Sequence, residues 1–336
     1  MDKIVEAIKS QSRYYKNIDG TDKLDVDGNR LVKKPLAEST IKNYTSTFNK
    51  VRDVLSEDRQ LTFTNLSWLS DVDKNVKIFN NTNLAPNTLK TYYNVIVIVL
   101  KALGIQNDIT NRYTALRDQL NKKYNEEMES GVISKKQEPN FITIDKYMKM
   151  ISDIEGLENK TLEQKQLLII LKLYLVLPAR NELAQFTFTT KEDFNMLNRS
   201  DKTKNWAVRG KKLHLVVNEY KTNGTYGTYT EKLSSEFTNE INDLVTSRIL
   251  VGKVGNYLFM NSDGGQLSKN NLTKILTRAS QKWIEGSPKV STTMIRKMIA
   301  SDLSAEKNVK AKELADKMKH SLGVHNMVYV KSHKPQ

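Results

Sequence analysis

The chain has 336 residues, long for one domain, with 38% hydrophobic residues and 53 Lys and Arg against 38 Asp and Glu, a net charge of +15. It has no cysteine, which excludes disulfides, cysteine zinc sites and thiol nucleophiles, and its four histidines leave little for a metal site. The longest apolar run, VIVIVL at 95–100, is too short to span a bilayer, and the basic excess, spread along the chain, points to an acidic partner such as a polyphosphate backbone.

The N-terminus lacks a signal peptide's apolar core and is not acid-poor like a transit peptide, so an intracellular, non-secreted protein is expected. Residues 1–34 read as a separate leader, an amphipathic IVEAIKSQSRYYK (4–16) before a polar stretch to 34. Within it, DVDGN (25–29) lacks the ligand spacing and closing glutamate of a calcium loop and reads as a turn. Helical signals begin after Pro35. AESTIKNYTSTFNKVRDVL (37–55) places Ile41, Tyr44, Phe48, Val51 and Leu55 at helical spacing. A segment near 71–80 is helical. NTLKTYYNVIVIVLKAL (87–103) starts after Pro86 and stops at Gly104, and 109–129 is a further helix. Residues 35–130 are therefore an all-α domain of about four helices.

A polar, lysine-rich linker at 131–141 contains Gly131 and Pro139. Beyond it, 142–336 changes texture. Two helices (143–157 and 163–177) precede WAVRGKKLHLVVNEYKTNGTYGTYTEKLS (206–234), which alternates like strands. Leu213, Leu215 and Val217 share a face there, Asn223-Gly224 offers a hairpin turn, and a Tyr/Thr-rich strand follows. Four more helices close the chain. The expected class is mainly α with a small antiparallel β-sheet.

Several side chains could carry chemistry. Arg180 follows an apolar helix in LYLVLPARNELAQF (173–186), where Pro178 ends the helix; pairing with Glu182 would be enough to explain it. Lys221 lies beside Asn223-Gly224, and a lysine at a hairpin tip is usually solvated. Arg296, in VSTTMIRKMIASDL (290–303), sits near the edge of a face made by Met294, Ile295, Met298, Ile299 and Leu303. His320 and Tyr329 complete the series; alone, Tyr329 reads as an aromatic in a last helix.

Taken in order, an arginine, a hairpin lysine, a helix-borne arginine, a histidine and a tyrosine nine positions later resemble the tyrosine recombinase (phage integrase) family. LPARNELAQF is similar to that family's first-arginine box, EYKTNG (219–224) to its hairpin lysine, TTMIRKMIAS (292–301) to its His-x-x-Arg box, and KHSLGVHNMVY (319–329) to its Gly-His…Tyr box. STIKNY (39–44) and NTLKTYY (87–93) fall in the part that resembles the core-binding domain. The implied fold is a helical, SAM-like core-binding domain plus an α+β catalytic domain. The chain departs from the pattern in four ways. Thr293 stands where the box has histidine, and His320 follows Lys319 where glycine is usual. The family's acidic position falls on Leu183, with Glu182 one earlier. Only seven residues follow Tyr329, so a long helix for packing on a neighbouring subunit is not expected.

The resemblance implies a site-specific recombinase or integrase that cleaves DNA through a 3′-phosphotyrosine. Its roles are Tyr329 as nucleophile, Arg180 and Arg296 as phosphate clamp, Lys221 as general acid, His320 as a phosphate hydrogen-bond donor and Thr293 as a poor replacement for a proton shuttle. Such chemistry suits these types. A phenolate both attacks and leaves, guanidinium forks hold permanent charge against equatorial oxygens, and an ammonium protonates the departing 5′-oxygen. No metal or cofactor is implied. The implied partners are double-stranded DNA with a specific recombination site and further copies of the chain, as a dimer or tetramer on DNA; no membrane is involved. The two domains would close on DNA as a clamp. VKK (32–34), NKKYN (121–125), SKK (134–136) and GKK (210–212) are candidate phosphate contacts, VHNMVYVK (324–331) is expected to move, and the leader would touch arm-site DNA or a subunit. Integration of a viral or mobile element is the first expectation. The alternatives are a type IB-like topoisomerase and a catalytically impaired DNA-binding protein of the same fold, which Thr293 encourages.

Overall fold

The computed structural model describes residues 1–336 except 12, 16–20, 34, 57–59, 106, 305–307, 322–323, 325–327 and 331–336. The chain forms two units, Met1–Glu127 and Met128–Gln336. Residues 325–327 and 331 of the segment expected to move, and the short tail after it, lie outside the described residues.

The first unit is helical: α1 (Asp2–Ser10), α2 (Glu38–Ser56), α3 (Val72–Asn81), α4 (Pro86–Ala102) and α5 (Asp108–Glu129). Each buries the stripe its spacing sets out, with Ile41, Phe48, Val51 and Leu55 of α2 buried against α4. A polar knot crosses this core. Asn75 donates to the Tyr113 hydroxyl at 2.8 Å, and that hydroxyl donates to the Leu69 carbonyl at 3.0 Å, so the buried phenol is satisfied. The first ten residues are not a separate leader. Ile4 and Ile8 of α1 are buried in the same core, and α1 packs on α2 and α4, because an i,i+4 apolar pair on a nine-residue helix must be covered. The DVDGN stretch is a turn: one Asp25 carboxylate oxygen accepts from the amides of Asp27 and Asn29, and Gly28 takes φ +81°.

The second unit contains α6 (Ile144–Glu155), α7 (Leu162–Val176), β1 (Thr187–Thr190), α8 (Lys191–Met196), β2 (Trp206–Arg209), β3 (Leu213–Val217), α9 (Asn223–Tyr226), β4 (Tyr229–Lys232), α10 (Ser235–Leu250), α11 (Lys269–Trp283), α12 (Thr292–Ser304) and α13 (Asn308–Lys317). Ser and Thr side chains cap most of these helices. Thr161 and Gln164 make a reciprocal capping box at α7, whose apolar sequence is the centre of the core. Residues expected as a linker are built into this unit. Ile133 is buried in its core, and Gln137 accepts from the Lys297 ammonium at 2.7 Å.

The mainly helical class with one small sheet holds. The sheet has the order β1-β2-β3-β4, and it is mixed rather than antiparallel throughout: β1 runs parallel to β2. Asn223-Gly224 does not make the hairpin turn. The tight turn is at Gly210–Lys212, and Asn223 opens the short α9 inside a longer β3–β4 connection, 218–228. The reason lies in two asparagines. The Asn205 carboxamide takes the amides of Asn218 and Glu219 at 2.7 and 2.8 Å, and Asn218 reaches the Lys202 and Lys204 carbonyls, so the ladder ends at Val217. Among the described residues no helix is long and apolar enough to cross a membrane.

Candidate active site

Pro178 cannot continue α7, and the chain turns sharply after Leu177. The buried Tyr174 hydroxyl donates to the Arg180 carbonyl at 3.1 Å and fixes where that residue sits. The next residues form a 3₁₀ turn, Asn181–Gln185, anchored by the fully buried Leu183 and Ala184. Asn181 accepts from the Thr292 hydroxyl at 2.7 Å, so the Arg180 segment is tied to the first residue of α12.

One turn into α12 lies Arg296. It is not at the edge of an apolar face: residues 294–300 are all buried, and Arg296 is only 2% exposed. One of its terminal nitrogens reaches the Met318 carbonyl at a long 3.4 Å, and its buried Nε has no hydrogen-bond partner. Burial brings its pKa down to about 10. The charge of Arg180 acts in the same direction, while Tyr329, Glu182 and Tyr174 act against it. Arg180, half-buried, has no hydrogen bond or ion pair from its guanidinium among the described residues, so the pairing with Glu182 that would have explained it is not made. Glu182 is buried, with one carboxylate oxygen unpartnered, and is felt electrostatically by Arg296, Tyr174 and Tyr229. It, and not Leu183, is the acidic group beside the arginines.

Tyr329 packs into the same place. The residue is 6% exposed, and its ring lies parallel to the His320 ring at 4.7 Å (9° between planes) with the Arg296 guanidinium carbon 4.4 Å from its centroid. Ser301, on α12, donates to the Tyr329 carbonyl at 3.3 Å. His320 is buried, with Nδ1 3.3 Å from the Ser321 carbonyl oxygen and Nε2 3.3 Å from the Met318 sulfur. Thus α12 holds Arg296 and, through Ser301, the backbone of Tyr329. Arg180, Arg296, His320 and Tyr329 gather around one point. Lys221 is exposed in the β3–β4 connection, with no partner among the described residues. Its neighbour Thr222 donates to the Lys319 carbonyl at 3.0 Å, which brings the connection beside the histidine segment. Thr293 is exposed in the first turn of α12, one turn before Arg296.

Two residues that single-residue reading missed belong to this neighbourhood. Tyr229, the first residue of β4, is half-buried; burial pushes its phenol's pKa up, with Glu182 adding to the effect and Arg296 opposing it. Lys319 has its ammonium 4.4 Å from the Tyr229 ring centroid. Among the described residues no group of His, Asp or Glu gathers as metal ligands would.

A helical unit followed by an α+β unit with one small sheet is the fold of the tyrosine recombinases. Among solved structures, a XerH site-specific recombinase bound to difH substrate, in a pre-cleavage complex, matches with a TM-score of 0.56 at 13% identity, over 86% of this chain and 76% of that one. A lambda integrase dimer bound to a COC′ core site matches with a TM-score of 0.50 at 14% identity, over 90% and 75%. No family model matches the chain, and no curated protein matches it in sequence.

Proposed function

We propose that this chain is a site-specific DNA recombinase that cuts and rejoins DNA through a 3′-phosphotyrosine at Tyr329. One observation carries the reading: a buried guanidinium, Arg296, with an unpartnered Nε, lies over the face of Tyr329 and within electrostatic reach of a second arginine, Arg180. Two like charges held together with so few acceptors are unfavourable unless an anion joins them, and a phosphodiester has the oxygens to accept from both forks. DNA as partner is supported by the two similar structures, both bound to DNA.

In the proposed reaction the Tyr329 oxygen attacks the phosphorus, and its proton passes to His320 or to water. Arg180 and Arg296 donate to the equatorial oxygens as charge builds there. The bond from phosphorus to the 5′-oxygen breaks, and the Lys221 ammonium gives that oxygen a proton. Rejoining is the reverse, with a 5′-hydroxyl displacing the tyrosine. The chain would act as a dimer or tetramer on a specific site, and integration of a viral or mobile element is the proposed setting.

The test is a nicked suicide duplex made from repeats in the DNA flanking the gene. The wild type should leave a covalent protein–DNA band. Tyr329→Phe deletes only the oxygen and keeps the packing on His320 and Arg296, so it should lose the band and bind the duplex as before. A wild type that binds but never forms the band defeats the proposal.

A further inference from the structure

We propose that Lys319 is a positioning residue that fastens the Lys221 connection to the histidine segment. The connection leaves the sheet after Val217 and rejoins it at Tyr229. Lys221 itself is exposed and unpartnered among the described residues, so something else must set where its ammonium can reach. The connection meets Lys319 twice, once within it and once where it rejoins the sheet. Thr222, the residue after Lys221, donates its hydroxyl proton to the Lys319 carbonyl at 3.0 Å. At the other end the Tyr229 ring receives the Lys319 ammonium, 4.4 Å from its centroid. Across the connection, the Tyr220 ring meets the Tyr229 ring edge-on at 5.4 Å, and the Tyr220 hydroxyl donates to the Gly227 carbonyl at 2.5 Å.

The backbone of Lys319 makes this arrangement unusual. Its φ is +53°, in the left-handed region, where glycine is at ease and a long side chain is not. A glycine there would adopt the turn without strain. It would still offer the carbonyl to Thr222, but it would have no cation for Tyr229. The strained lysine therefore supplies the second attachment. It is also the residue directly before His320, whose amide donates to the Ala315 carbonyl at 3.1 Å and whose ring stacks on Tyr329. The link runs from the Lys221 connection through Lys319 to the histidine and the nucleophile.

This rests on the reading of Lys221 as the acid that protonates the leaving 5′-oxygen, and the experiment separates the two. Cleavage is measured on two duplexes, one ordinary and one with a 5′-bridging sulfur at the scissile position. A thiolate leaves without a proton donor, so the second duplex bypasses the acid. Lys221→Ala should be slow on the first and restored on the second. Lys319→Gly, which relieves the backbone, and Thr222→Val should each slow the ordinary duplex by roughly ten- to a hundredfold. Both should cleave the sulfur duplex at the wild-type rate and bind DNA normally, and Lys319→Arg, which keeps the cation, should stay near wild type on both. Equal slowing on the two duplexes, or none on either, overturns the positioning role. A wild type inactive on both overturns the recombinase reading itself.

Discussion

Two arginines of the second unit are almost equally buried and are used differently. Arg248 is 3% exposed and donates to the Tyr257 carbonyl at 2.9 Å and to the Leu258 carbonyl; burial brings its pKa down to about 10. Arg296 is 2% exposed, has the same lowered pKa from the same cause, and has one long contact and an orphan donor. The first is a structural pin holding the chain after α10. The second has a buried donor that nothing among the described residues accepts, free for the phosphate of the proposed reaction. Arg248→Met should therefore leave two carbonyls unsatisfied and lower stability by about 2–4 kcal/mol, seen as a drop in thermal midpoint, with cleavage by the surviving folded protein little changed. Arg296→Met should lose less stability, yet slow cleavage by on the order of 10²-fold or more, because a donor aimed at developing charge has gone. If both variants lose stability equally and Arg296→Met still cleaves, the distinction fails.

At the scale of elements, α12 organises the site. It joins the Arg180 segment through Thr292, holds Arg296 in its middle and carries the Ser301 that bonds the Tyr329 backbone. Its first turn presents the exposed Thr293. Histidine substituted there faces no packing, so Thr293→His should change stability by no more than about 0.5 kcal/mol. The positive end of the helix disfavours imidazolium, leaving a neutral imidazole able to take a proton near pH 7. Single-turnover cleavage should be faster than wild type; an unchanged rate would mean that His320 or water already handles the phenolic proton. Much at this scale was legible in the sequence. Ile41, Phe48, Val51 and Leu55 mark the buried face of α2, since that signal is local. The sheet was less so. The Asn223-Gly224 turn signal loses to hydrogen bonds made by Asn205, thirteen residues before Asn218, and β1, only four residues long, is too short a stretch to stand out. The meeting of Arg180, Arg296, His320 and Tyr329 is not written in any local pattern, and only their order along the chain, as a resemblance, pointed to it. Lys319 could not be found that way, since its place was marked for glycine and its role depends on a backbone angle.

For the whole molecule, the charge of +15 matters most where cations lack acidic partners. Lys191, Arg209, Lys211, Lys212 and Lys232 line a groove on the face of the sheet that also presents His214 and Val216, while Leu213, Leu215 and Val217 point into the core. Among the described residues none of the five forms an ion pair. The groove reaches the Gly210–Lys212 turn, at the opposite end of β3 from the Lys221 connection, roughly 13–17 Å away for a strand of this length. Cations there are too far to take part in the proposed chemistry, and on that reading they would meet the DNA backbone. Each phosphate they neutralise releases condensed counterions, so the logarithm of the binding constant should fall linearly with the logarithm of salt concentration, by about 0.9 for each contact. With six contacts in all, affinity for the duplex should drop on the order of 10³-fold between 50 and 200 mM salt. Replacing Lys211 and Lys212 together by alanine should weaken binding at low salt and make the slope shallower by about 2, independent of DNA sequence. The measurement is a salt titration of wild type and double variant on one duplex. A flat wild-type response would rule out a backbone grip, and a steep response unaltered in the double variant would place that grip away from this groove.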